Sequence, residues 1–230
     1  MLAAVTPFLT FVAFLLLLLV SLSAPIIRSI YLFSLAANFS SSLFNTSATG
    51  LARFGVWGYC LYNVDVSVLG IDYRPQIDGQ CSKAHLGYTI DSTVANALHA
   101  QNIENTISRA TTAALVLHPI ACALTFVALL TALGMVRRRT GNVSSLASIL
   151  TFLVGFVAAL LTTIVFLIDV IAVAVVRHRI RDDTDGSLNL NWGNAVWMTL
   201  GATVALWGAL VGACAGVFHR SRAQKSADRY

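Results

Sequence analysis

Phe54-Gly-Val-Trp-Gly-Tyr-Cys60 is the stretch on which the reading of this chain turns. It sets a Trp-Gly pair just ahead of a cysteine. A second cysteine, Cys81, follows in the same polar segment after 20 intervening residues. The segment lies between the first and second of four long apolar runs. Disulfides persist in oxidising compartments and are rare in the reducing cytosol. The pattern therefore predicts an integral membrane protein whose first long loop carries a small disulfide-bearing domain, with two free thiols as the alternative for Cys60 and Cys81. Closing that loop would contribute about 3 kcal/mol in the chain-entropy account.

Composition agrees with a bilayer environment. Of the 230 residues, 57% are hydrophobic and 11% charged, where soluble domains run near 25% charged. Mean hydropathy is +0.76. The formal net charge of +5 does not indicate nucleic acid, because seven of the 15 Lys and Arg sit in two clusters directly after apolar runs. Arg137, Arg138 and Arg139 form one, and Arg220, Arg222, Lys225 and Arg229 the other. No basic face with interleaved aromatics appears.

The apolar runs, Val5–Ile27, Ala113–Val136, Leu146–Val176 and Ala195–Phe218, each reach the roughly 20 residues a membrane-crossing helix needs. Cytoplasmic loops are enriched in Lys and Arg. The two clusters therefore predict cytosolic termini and a cytosolic second connection. The long loop 28–112 and the loop 177–194, where Asp182, Asp183 and Asp185 offset three arginines, face outward. A short basic cytosolic tail, 219–230, follows the last span. Glycosylation sequons at Asn38 and Asn45 fall in the outer loop, while that at Asn142 falls on the cytosolic side and is expected to stay bare. Ser21-Leu-Ser-Ala24 resembles a signal-cleavage site, but no cation precedes the apolar stretch, which is long for a signal core. The favoured reading keeps it as a span.

In the outer loop, Val64-Asp-Val-Ser-Val68 alternates as a half-buried strand does. Gly70, Pro75 and Asp78-Gly79 supply turns. Residues 91–109 place Val94, Leu98, Ile103 and Ile107 at helical spacing, continuing into span two. The fold class that follows is an all-α membrane bundle of four transmembrane helices, with a small extracellular β-rich domain. Inside the membrane, Gly208, Gly212 and Gly216 repeat every four residues, a face that lets helix backbones approach. Packing within the bundle is the favoured use, and a homo-oligomer seam stays open. Asp169 is the only charged residue in any run. Span three covers 31 residues, about 46 Å of helix against a roughly 30 Å apolar core. Asp169 is thus expected at the outer interface, paired with Arg109 at the top of span two. His85, His99 and His178 are too scattered for a metal site, and no nucleophile, base and orienting group stand together. No catalytic residue, cofactor or metal is expected. Cys122 and Cys214 read as inert thiols within spans, with palmitoylation an alternative for Cys214.

Trp57-Gly58-Tyr59-Cys60 followed by Cys81 resembles the first-loop signature of the claudin-like superfamily. Leu115-Val-Leu-His-Pro-Ile-Ala121, Ile168-Asp-Val170 before Arg177-His-Arg179, and Asn194-Ala-Val-Trp197 are similar to the fungal PalI family, over about residues 1–218. A related branch is the tetraspan group of eisosomes, the furrow-like plasma-membrane domains. The resemblance implies a non-enzymatic plasma-membrane accessory of the alkaline-pH response, supporting the placement or stability of a PalH-type seven-span sensor. The alternative is an eisosome-type organiser of membrane and cell wall. Many filamentous-fungal members carry a long cytosolic tail. This sequence ends about a dozen residues after span four, so assistance is expected to run through the helices or the outer domain.

Overall fold

A computed structural model describes residues 2–41, 46–68, 71–73, 79–83, 104–137, 145–183 and 188–227. In chain order they form α1 (Leu2–Ser21), β1 (Phe33–Ser41), β2 (Thr46–Phe54), β3 (Tyr59–Val68), β4 (Ile71–Tyr73), β5 (Gln80–Cys81), α2 (Glu104–Arg137), α3 (Ser145–Asp183), β6 (Leu188–Trp192) and α4 (Asn194–Ala227). Among the described residues three helices are long and apolar enough to cross a membrane, over Leu115–Met135, Ile149–His178 and Asn194–Ala215. The apolar part of α1, Val5–Ser21, has 17 residues, about 26 Å of helix against a core of roughly 30 Å. Helix length therefore supports three of the four expected spans and leaves the first, α1, as a shorter apolar helix.

The expected first run, 5–27, overshoots its helix, which ends at Ser21. Beyond it the backbone turns, with Ser23 N on Val20 O at 3.1 Å and Ile27 N on Leu22 O at 3.0 Å. Pro25 lacks the N–H that a continuing helix would need. The other helices run longer than their apolar runs: α3 continues to Asp183 and α4 to Ala227. Helix α2 already includes residues 104–112, so this part of the loop is continuous with the span. The rest of the expected loop helix, 91–103, and the turns at Gly70, Pro75 and Asp78 lie outside the described residues.

The chain divides into two compact units. One comprises residues 1–18, 119–166 and 198–230. Its core is made of Ala13, Leu17, Cys122, Ala159, Ala202, Leu206 and Leu210, with Phe14 and Leu16 packed against it. Small residues dominate because apolar lipid gives no hydrophobic drive to helix association, so close van der Waals approach must supply it. Buried hydroxyls within the helices are satisfied locally: Thr125 bonds Ala121 O at 2.8 Å, Thr162 bonds Ala158 O at 2.7 Å, and Thr203 bonds Thr199 O at 2.8 Å. Such back-bonding to the preceding turn is how hydroxyls are accommodated in apolar helices.

The second unit, residues 19–118 and 167–197, holds an antiparallel sheet of strand order β4-β3-β2-β1-β6, with β5 paired to β3. Strand β3 contains the alternating Val64–Val68 stretch. Strand β6 comes from the connection between α3 and α4 and pairs antiparallel with β1, with Trp192 opposite Phe33. The fold thus combines apolar helices and an antiparallel sheet carrying a Cys60–Cys81 disulfide, as a claudin-like fold does.

Candidate functional site

The Phe54–Cys60 stretch is the corner between β2 and β3, and it is fastened to the end of α1. The last turn of a helix leaves carbonyls without intrahelical partners. Trp57 meets one of them, its Nε1–H donating to Ser21 O. Val56 N donates to Ser23 Oγ at 2.8 Å, and Trp57 N donates to Ala24 O at 3.2 Å. The corner closes on itself through Gly55 N to Gly58 O at 2.8 Å. Only glycine fits at Gly55, where a Cβ would stand 2.5 Å from Ala24 N. At Gly58 a Cβ would collide with Ser82 Oγ. That hydroxyl is already engaged, accepting from Tyr59 N at 3.1 Å.

Cys60 and Cys81 are register partners on β3 and β5 and are joined by the disulfide. Cys60 is fully buried. The bridge fixes the short β5, which makes only a two-residue ladder with β3, to the strand that leaves the corner. Arg53, the register partner of Cys60, stacks between two rings, 5.0 Å from the Tyr31 centroid and 4.9 Å from that of Tyr62.

A second fastening comes from the start of α4. Asn194 Oδ1 accepts from Tyr31 N at 3.0 Å, and its Nδ2 donates to Ser29 O at 2.8 Å. Ala195 N donates to Tyr31 O at 3.1 Å, and Gly193 N to Leu32 O at 2.9 Å. The connector between α1 and β1 is therefore held on one side by the signature corner and on the other by Gly193–Ala195. Sequence reasoning quoted Asn194 only as part of a resemblance and did not foresee its clasp.

The titratable centre of the spans is a pair. His118 Nε2 lies 3.1 Å from Asp169 Oδ2, with the two residues 1% and 6% exposed. The side chain of Asp169 is buried, and His118 is one partner that it meets. Arg109 lies on α2 nine residues before His118, about 13 Å along the axis. Its side chain is outside the described residues, so a pairing with Asp169 is a proposal only. His118 also stands beside Pro119, which cannot donate the i→i−4 bond that the helix would otherwise make there.

On α4, glycines face α1. A Cβ at Gly201 would stand 3.4 Å from Leu16 Cδ1, one at Gly208 3.4 Å from Leu9 Cδ1, and one at Gly212 3.2 Å from Thr6 Oγ1. Thr6 Oγ1 in turn donates to Ala209 O at 3.4 Å. Gly216 is on the same helix, its surroundings outside the described residues. Asn38 lies on β1 opposite Thr49. Its side chain, Asn45 and Asn142 are also outside. Among the described residues no three His, Cys, Asp or Glu side chains come together as a metal site.

No curated protein matches the chain. A family model described as the SUR7/PalI family matches residues 2–208, nearly the whole length, and takes in the signature corner, the disulfide, the His118–Asp169 pair and the α1–α4 contact as far as Gly208; the chain belongs to the SUR7/PalI family.

Proposed function

We propose that this protein is a non-enzymatic plasma-membrane accessory of a fungal alkaline-pH response, one that supports the placement or stability of a PalH-type seven-span sensor. One observation carries the reading. Leu115–Ala121, the stretch most like the PalI branch, contains His118, and His118 is locked in a buried pair with Asp169. A residue that marks the branch thus shapes the helices through which a membrane partner would be recognised. Intramembrane ionisable residues face the bundle interior and pair with one another.

The topology proposed with it has four spans, α1 being the short first one, with both termini cytosolic and the sheet outside. The arginine clusters favour this orientation. So does the disulfide, which belongs in an oxidising compartment. On this reading Asn38 and Asn45 are glycan acceptors, and Arg109 is available near the outer end of α2. A second reading, an eisosome-type organiser of membrane compartments, is favoured by the family's joint scope.

A deletion strain separates the two. Failure to grow at alkaline pH, rescued by a constitutively processed form of the pathway's transcription factor, is the expected result. Normal alkaline growth with altered membrane patches would replace the first reading with the second.

A further inference from the structure

The helix-proximal end of the sheet carries an aromatic row. Phe33 pairs with Trp192 on one side and with Phe54 on the other, and Phe54 pairs with Tyr59. Register partners directly opposite one another share a face, so Trp192, Phe33, Phe54 and Tyr59 cross four strands, β6-β1-β2-β3, on one side. With strands about 4.8 Å apart, the row is about 14 Å long. The Phe33 and Phe54 rings stack at 4.7 Å, and those of Phe54 and Tyr59 meet at 5.7 Å. All four side chains are half-buried.

Both ends of this row are tied to helix ends. Trp192 is two residues from Asn194, where the apolar segment of α4 begins. The Phe54–Tyr59 corner is bonded to Ser21 O and Ser23 Oγ, at the end of α1. Exposed apolar side chains stand in the chain beside both tied ends: Ile26, in the turn after α1, is 55% exposed, and Trp197, in the first turn of α4, is 64% exposed. Trp and Tyr, with an apolar body and a polar tip, collect at headgroup level in membrane proteins, where lipid tails meet water.

We propose that this row is an interfacial seat. Trp192, Phe33, Phe54 and Tyr59 rest in the phospholipid headgroup layer of the leaflet on the sheet's side, continuous with the lipid-facing surface at Ile26 and Trp197. The occupant is the lipid interface itself. Continuity with the spans argues for it, since a row fastened at both ends to helix termini cannot leave the level at which those helices meet the headgroups.

The test uses the full chain, labelled with fluorotryptophan and fluorotyrosine, in phosphatidylcholine nanodiscs. Trp192→Phe and Tyr59→Phe assign the two fluorine lines, and Trp207, 13 residues beyond Asn194 on α4, gives a reference within the bilayer. Three paramagnetic probes are compared: a lipid with a headgroup nitroxide, a lipid with a nitroxide deep in its acyl chain, and a water-soluble gadolinium chelate. The seat predicts that the Trp192 and Tyr59 lines lose most intensity to the headgroup nitroxide, while Trp207 loses most to the acyl-chain one. Greater loss to the chelate would mean that the row faces water. Indifference to all three would mean that protein covers it, a second copy included. Greatest loss to the acyl-chain probe would put it below the interface. Each of these three results overturns the proposal.

Discussion

Replacing both members of the His118–Asp169 pair should disturb the protein less than replacing His118 alone. The two residues are 1% and 6% exposed, so neither can exchange its partner for water without local opening. His118→Leu takes this partner from a buried carboxyl. Breaking a buried ion pair costs about 3–5 kcal/mol, because a charge is left without compensation. Removing one partner of a neutral buried hydrogen bond costs about 1–3 kcal/mol. Leucine at both positions removes the polar groups together and approaches neutrality. The quantity to measure is the coupling in a double-mutant cycle of His118→Leu and Asp169→Leu. Thermal unfolding can be followed with a thiol-reactive fluorophore at Cys122, 7% exposed and one helical turn from His118, in a Cys214→Ser background. At this chain length each kcal/mol moves Tm by about 2–4 °C. A coupling of about 3 kcal/mol or more identifies an ionised pair. A value of about 0.6–1.7 kcal/mol identifies a neutral hydrogen bond of the strength found between membrane helices. Additive single effects would refute the view that these two side chains hold each other.

The α1–α4 contact predicts that Gly212→Leu, driven into Thr6, destabilises by about 1–3 kcal/mol through overpacking. Gly134→Leu, where a Cβ meets nothing within 4 Å, should be tolerated; equal surface abundance of the two variants would show the α4 stripe to be slack. Trp57→Phe, which keeps the ring and loses the bond to Ser21 O, should lower stability by about 0.5–1.5 kcal/mol, and an unchanged melting curve would deny the indole its fastening role. Cys60→Ser should cost about 2–5 kcal/mol, the range for native disulfides of small domains, and should retain the protein in the secretory pathway; mass spectrometry of the mature wild type finding Cys60 and Cys81 free would remove the basis of this expectation. On the proposed topology, an endoglycosidase mobility shift should vanish with Asn38→Gln plus Asn45→Gln. A shift that vanishes only with Asn142→Gln would invert the orientation.

The helices α2, α3 and α4 were legible because long apolar runs have few other uses, and Cys60–Cys81 because two cysteines share one loop. Strand β1 was not, for a compositional reason. Phe33–Ser41 reads Phe-Ser-Leu-Ala-Ala-Asn-Phe-Ser-Ser, without a β-branched residue, so local propensity is weak and pairing supplies the order. Strand β6 did carry a signal, since Leu188-Asn-Leu-Asn-Trp192 alternates apolar and polar. Its neighbours were read for charge instead. The end of α1 was announced by Pro25 and overridden by apolar composition. Asp169 was singled out with Arg109 as its expected partner, and its approach to His118 was not foreseen, because the relative depth of two helices is a tertiary quantity. The indole of Trp57 was recognised as a signature residue, while its acceptor, a backbone carbonyl 36 residues earlier, has no mark in any sequence.

The pairing of β1 with β6 has a consequence for synthesis. Phe33 cannot meet Trp192 until α2 and α3 have been made and β6 has emerged behind them. Until then one edge of β1 presents unpaired backbone groups, the surface on which strands add to strands. Non-local pairing of this kind is slow and exposed to misassembly. A chain stalled or truncated before Leu188 keeps that edge open. The last short strand thus closes the sheet only after α3 has been made, and until it pairs, the edge of β1 stays open to any other strand that can add to it.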